Sequence, residues 1–225
     1  MTGGEINSRG AAALALERWC GGGLLSAGNS PDRSFVQDML YTTVKRLAAI
    51  DFVLDSLVAR RPQPRTRALL RIGAAQILYM PGVEAFAAVN ETVEAAKHLC
   101  SGREAPFVNG VLRGLARNLR TVERKLSKAP LHVRESYPRV LVGRWTVRFG
   151  VQAAEAIAKS GNLPGATFLA RPDGSFTMLE RGRRVEDVPG YAEGDFIVQD
   201  PATAAAIDLL APQSGEHILD ACSAP

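Results

Sequence analysis

Two groups of residues in this chain have the types and spacing to do chemistry. The first lies at the end, in VQDPATAAAIDLLAPQSGEHILDACSAP (198–225). Residues 217–219 read as a short buried strand, followed by Asp220 and a run of small residues closed by proline. Strand, acid and small-residue turn is how a doubly wound α/β domain opens a ligand site. The ligand sits at the carboxyl end of the first strand, and small residues let the backbone approach it closely. Asp220 would orient the loop, and Cys222, Ser223, Ala224 and Pro225 would line the ligand.

The second group is basic. Arg113, Arg117, Arg120 and Arg124 recur at steps of four, three and four, which on one helix makes a single stripe. Guanidinium groups fork onto phosphate oxygens, so such a stripe can track a nucleic-acid backbone. The plain alternative is a solvated helix face. A further cluster, RRPQPRTR (60–67), carries Arg65 and Arg67 just ahead of a helix, where unpaired backbone amides also favour anions. Together the two clusters favour an RNA partner, because positive charge is concentrated rather than spread. Residues 60–71 hold five arginines and no acid, whereas residues 1–58 are slightly acidic.

Other combinations carry less. Cys20, Cys100 and Cys222 stand far apart and form no CxxC, so neither a disulfide framework nor a zinc site is expected. Cys20 and Cys100 read as core or boundary thiols, and Cys222 belongs to the ligand turn rather than to a nucleophile. Asp51 and Asp55 are one helical turn apart, with nothing beside them to support catalysis. Asn90-Glu91-Thr92 matches a glycosylation sequon but falls in a helix and reads as its polar face. Trp145 and Phe149, one turn apart, read as packing residues.

The elements that must position these groups are mostly helices. Periodicity predicts helices at about 9–19, 33–50, 65–79, 84–99 and 105–126, with 51–59 continuing the second or standing alone. The fourth carries Phe86, Val89, Val93, Ala96 and Leu99 as an apolar stripe, and the fifth Leu112, Leu115, Leu119, Val122 and Leu126. The breaks fall at Gly21–Gly23, RRPQP, Pro81-Gly82 and Ser101-Gly102. Pro138 precedes two more helices, VLVGRWTVRFG and VQAAEAIAKSG. After Gly161 the texture changes: TFLARPDGSFTMLERG reads as a hairpin turning at Asp173-Gly174, and 200–210 as a helix.

Bulk properties set the frame. The chain has 225 residues, is 46% hydrophobic and 22% charged, and carries a net charge of +4, which together suit one or two globular domains. No apolar run nears the ~18 residues of a spanning helix, and the N-terminus has no secretion signal. A cytoplasmic monomer without membrane or metal is expected.

The segment 198–225 resembles the RsmB (Sun/Fmu) family of 16S ribosomal RNA cytosine-5 methyltransferases. RTRALLRIGAAQILYM, FAAVNETVEAAKHL and FVNGVLRGLARN follow the order of that family's NusB-like domain, and RVLVGRWTVRFG is similar to its connector helix. Residues 162–196 are shorter than the family pattern and lack its Arg-Val-Asn strand. The resemblance implies a mainly α fold: a NusB-like RNA-binding bundle (1–128), a small α/β connector domain (129–197) and the first strand of a Rossmann-type methyltransferase domain (198–225). It implies S-adenosyl-L-methionine (SAM) as cofactor, its methionine end against Cys222–Pro225, and ribosomal RNA as partner. It also implies cysteine attack on carbon 6 of cytosine and methyl transfer to carbon 5. The Gly-Gly-Lys and both cysteines of that chemistry would lie past Pro225, so no catalytic residue is expected in the chain and it should be inactive alone. The alternative is a NusB-type antitermination module with no enzymatic role.

Overall fold

A computed structural model describes residues 6–30, 32–180 and 182–221. The chain divides into two compact units, 1–162 and 163–225, so the segment expected as one connector, 129–197, is shared between them.

The first unit is helical. Helix α1 (Ser8–Cys20) starts where the Asn7 side chain accepts a hydrogen bond from the Gly10 N–H at 3.0 Å, satisfying one amide the helix cannot. It ends at Gly21–Gly23, where the Gly23 N–H donates to the Arg18 carbonyl. Helices α2 (Arg33–Lys45) and α3 (Leu47–Asp55) follow. Helix α4 (Pro64–Tyr79) has proline in its first turn, where no amide is lost. Every residue from Thr66 to Gln76 is buried, which makes α4 the central helix. Around it lie α1, α2, α3, α5 (Ala85–Leu99) and α6 (Glu104–Arg117). Leu16, Met39, Ile50, Leu69, Leu112 and Leu115 are all but inaccessible in this core. At Gly73 an added Cβ would lie 2.5 Å from the Leu112 side chain, so the missing side chain is what lets α4 and α6 approach.

Two of the expected helices are broken. The segment 33–50 bends at Arg46 (φ −111°, ψ 17°) instead of running to Ile50. One turn earlier the Thr43 hydroxyl donates to the Met39 carbonyl at 2.6 Å, a back-bond that bends helices. The Arg46 guanidinium is held by Glu135 at 3.0 Å and lies over the Tyr79 ring. The segment 105–126 breaks at Asn118 (φ −108°, ψ 22°) into α6 and α7 (Leu119–Ser127). There the Asn118 carboxamide donates to the Gly114 carbonyl at 2.9 Å, offering the backbone a partner other than the helix ladder.

A short helix α8 (Leu131–Arg134) leads to α9 (Arg139–Phe149) and α10 (Val151–Asn162), which pack together and are separated by Gly150 at φ 83°. Trp145 meets Tyr137 edge to face at 5.2 Å, whereas Phe149 is half exposed.

The second unit holds a small antiparallel sheet. Strands β1 (Phe168–Ala170) and β2 (Phe176–Met178) form the expected hairpin, with Leu169 opposite Thr177. In its turn Gly174 takes φ 81° and the Asp173 carboxylate accepts the Ser175 N–H. Strand β3 (Ile197–Val198) pairs with the other edge of β1, giving the order β2-β1-β3. Helix α11 (Pro201–Leu210) is capped by the Asp200 carboxylate. The strand expected at 217–219 does not form among the described residues. An inner strand exists only by pairing with neighbours; none lies beside this segment, and Ile218 and Leu219 are exposed.

Candidate nucleic-acid interface

The expected basic residues do not share one surface. Arg67 and Arg71, one turn apart on α4, point inward to Asp51 on α3. Asp51 accepts from Arg67 Nη2 at 2.7 Å and from Arg71 Nε and Nη2 at 2.8 and 2.7 Å, the last two a bidentate fork. Arg67 Nη1 also lies 2.6 Å from Asp55 Oδ1, in contact but not aligned as a hydrogen bond. Arg67 is 3% exposed. It braces α3 against α4 and is withdrawn from the RNA-facing set. Burial alone would raise the Asp51 carboxyl; the hydrogen bonds and charges of Arg71 and Arg67 outweigh it and hold the group below its ordinary range. Thus Asp51 and Asp55, set aside as mere helical neighbours, are the internal counter-ions of the 60–71 cluster. Arg65 is exposed, but its Nε donates to Glu17 at 2.9 Å, which offsets its charge.

The four arginines of the stripe behave differently. Arg113 and Arg117 on α6, and Arg120 and Arg124 on α7, are all exposed. Among the described residues none of the four is paired with a carboxylate. Helix α7 turns Val122 inward and its charges outward, adding Lys125 and, just past its end, Lys128 against Glu123 alone. Those two lysines were legible in the sequence as part of the same run. The Asn118 break divides the stripe, so Arg113 and Arg117 belong to one helix axis and Arg120 and Arg124 to another.

Arg113 and Arg117 also edge a groove of about 640 Å³ between α5 and α6. Phe86, Asn90 and Lys97 line it from α5 and Asn109 from α6. Phe86, expected in the apolar stripe of α5, is instead 76% exposed. Ala85, Ala105, Pro106 and Ala116 are the small residues among those lining the groove around it. Val89, one turn on, is buried as expected.

Residues 22–117 match the NusB family. The chain contains a NusB domain. The NusB match runs from just past α1 to the end of α6. Over 86% of its length the chain is 28% identical to the "Ribosomal RNA small subunit methyltransferase B" of Salmonella arizonae, of which it covers 51%. It is likewise 28% identical to the "Probable ribosomal RNA small subunit methyltransferase B" of Bacillus subtilis, covering 50%. The chain therefore spans about half the length of these relatives, and the resemblance read from its motifs is borne out. The arginines on α7 fall just past the matched NusB segment.

Cys222, Ser223, Ala224 and Pro225, expected to line a cofactor, lie outside the described residues. The described segment before them, 217–221, is exposed and in no sheet. Among the described residues no group of His, Cys, Asp and Glu side chains is placed to hold a metal. No described helix is long and apolar enough to cross a membrane.

Proposed function

We propose that this chain is the RNA-holding part of a SAM-dependent methyltransferase that makes 5-methylcytosine in small-subunit ribosomal RNA, and that the chain alone transfers no methyl group. The observation that carries the RNA reading is the run of exposed guanidinium groups without carboxylate partners among the described residues, Arg113, Arg117, Arg120 and Arg124, along α6 and α7. Charges without internal partners are available to phosphates, and their contribution is electrostatic and largely independent of sequence. Arg65 contributes less, because binding RNA means giving up Glu17. SAM, when bound by the whole protein, supplies the methyl group; the described residues of this chain carry no step of that transfer. The role left to them is to hold and orient RNA.

The test is a filter-binding titration with a ribosomal RNA fragment at two salt concentrations. Arg117→Glu with Arg120→Glu should weaken binding by roughly 1–3 kcal/mol, the scale of a few charge-assisted contacts. Arg18→Glu with Arg33→Glu makes the same change in net charge on other exposed positions and should do much less. Equal losses from the two pairs refute a localised interface. Incubation with labelled SAM and unmodified ribosomal RNA should leave cytosine unlabelled; label above a no-protein control refutes the inactivity of the chain alone.

A further inference from the structure

The α5–α6 groove has features that phosphate binding alone does not require. Its mouth holds a phenylalanine that is 76% exposed, although the same helix buries Ala88, Val89, Ala95 and Ala96. Asn90 follows Phe86 by four residues on the same helix face, and Asn109 faces the groove from α6. Among the described residues neither carboxamide is hydrogen-bonded to another protein group. Each therefore offers a donor pair and an acceptor. The charges along the groove are Arg113, Arg117, Lys97 and Glu94. Lys97 and Glu94 form an ion pair with each other, which leaves Arg113 and Arg117 as net positive charge. A groove of about 640 Å³ falls within the roughly 300–1,000 Å³ of small-ligand sites.

We propose that this groove takes one unstacked base of single-stranded RNA, with Phe86 as the stacking platform and Arg113 and Arg117 on the flanking phosphates. The inference rests on the RNA reading above and names the form of RNA that this part of the surface takes. Stacking needs an open aromatic face, and Phe86 has one. Recognition of a base edge needs paired donors and acceptors, which Asn90 and Asn109 supply. Following the backbone needs cations spaced along it; Arg113 and Arg117 are one turn apart, a rise of about 6 Å. Duplex RNA cannot use this arrangement, because its bases are stacked and paired and its major groove is closed to side chains.

The test uses the full chain and a single-stranded oligoribonucleotide of about 12 nucleotides, within the site sizes of single-strand binders, made of A and U with one 2-aminopurine. A hairpin of matched length and charge is the competitor. The single strand should bind more tightly than the hairpin, with quenching of 2-aminopurine as the base stacks. Phe86→Ala should weaken single-strand binding about tenfold, abolish the quench and leave the salt slope unchanged, because it removes a face and no charge. Phe86→Trp should keep both affinity and quench. Arg113→Glu with Arg117→Glu should flatten the salt slope by at least about two. If the arginine variant loses binding while Phe86→Ala binds and quenches like wild type, base stacking is refuted and the RNA reading stands. If hairpin and single strand bind alike, stacking is refuted too. If wild type binds neither RNA, both readings fail together. Because Phe86 is largely outside the core, circular dichroism should show the Ala variant folded as wild type.

Discussion

Truncating Asp51 to alanine tests whether the buried charge cluster holds α3 to α4. The substitution removes three aligned hydrogen bonds, one from Arg67 and two from Arg71. Charge-assisted bonds contribute roughly 1.5–3 kcal/mol each, but a simple sum overstates the loss, since a guanidinium that reaches water regains hydration. Arg71 is 11% exposed at the side chain, lines an open pocket and retains the Cys20 sulfur at 3.2 Å. Arg67, at 3%, retains only the misaligned contact with Asp55. The cost is therefore set mainly by one stranded cation, which places it on the scale for breaking a buried pair, about 3–5 kcal/mol. Asp55→Ala removes a carboxylate that is 57% exposed and leaves Arg67 bound to Asp51, so it should cost about 1 kcal/mol or less. Arg61→Ala removes a contact at 3.9 Å from a side chain 68% exposed and should cost almost nothing. Urea unfolding followed by far-ultraviolet circular dichroism at neutral pH measures all three. At this size 1 kcal/mol corresponds to roughly 2–4 °C in Tm, so the Asp51 variant should also melt well below the others. Equal costs for Asp51→Ala and Asp55→Ala would refute the argument, for they would mean that Arg67 rehydrates freely.

The same cluster fixes an acid limit. The folded state lowers the Asp51 pKa, so its stabilisation is full above the ordinary carboxylate range and fades as pH falls below about 4; Asp51→Asn should flatten that limb of a stability-versus-pH curve. Tyr79 behaves oppositely: burial pushes its hydroxyl up to about 12, with Arg46 lowering it and Glu135 raising it, so the stability it contributes is lost as pH rises from about 10 toward 12. Its buried hydroxyl has no hydrogen-bond partner among the described residues, so Tyr79→Phe should unfold at the same or higher urea concentration. Gly73→Val should cost about 1–3 kcal/mol by driving α4 into Leu112, measured by the same unfolding curves. Cys20, exposed, should be alkylated before Cys100, whose thiol is pushed up first by burial and which touches Thr66; peptide mapping after brief iodoacetamide treatment that finds Cys100 modified first would refute this.

What could be read without coordinates was what local chemistry decides. Asn7, Pro64, Asp200 and Asp173-Gly174 each act within a few residues of themselves, and each begins or turns an element where its type says it should. The breaks at Arg46 and Asn118 escaped because they do not interrupt the apolar period. Val122 is buried and Leu126 partly so across the second break, as an unbroken helix also required. Thr43 and Asn118 were visible as residues that compete for backbone carbonyls, but whether such a residue bends its helix depends on the packing around it. The strand at 217–219 was legible only as an apolar pattern, and pairing, which makes a strand, is not a property of the segment.

The basic residues show the same division at the level of function. Along the chain, 60–71 is the purer cluster, five arginines without an acid, and it is the less available one. Its counter-ions come from other helices, Asp51 and Asp55 from α3 and Glu17 from α1. Charge counted along a sequence window cannot see a partner that only folding brings near. The later arginines are interrupted by Glu123, yet on the exposed faces of α6 and α7 none of the four forms an ion pair among the described residues. Phe86 is the converse case: its spacing fits the core stripe, but it stands in the groove between α5 and α6 and stays exposed. Which charges stay available to an outside ligand thus depends on which counter-ions folding brings near them, and that can be decided only with the described helical unit in view.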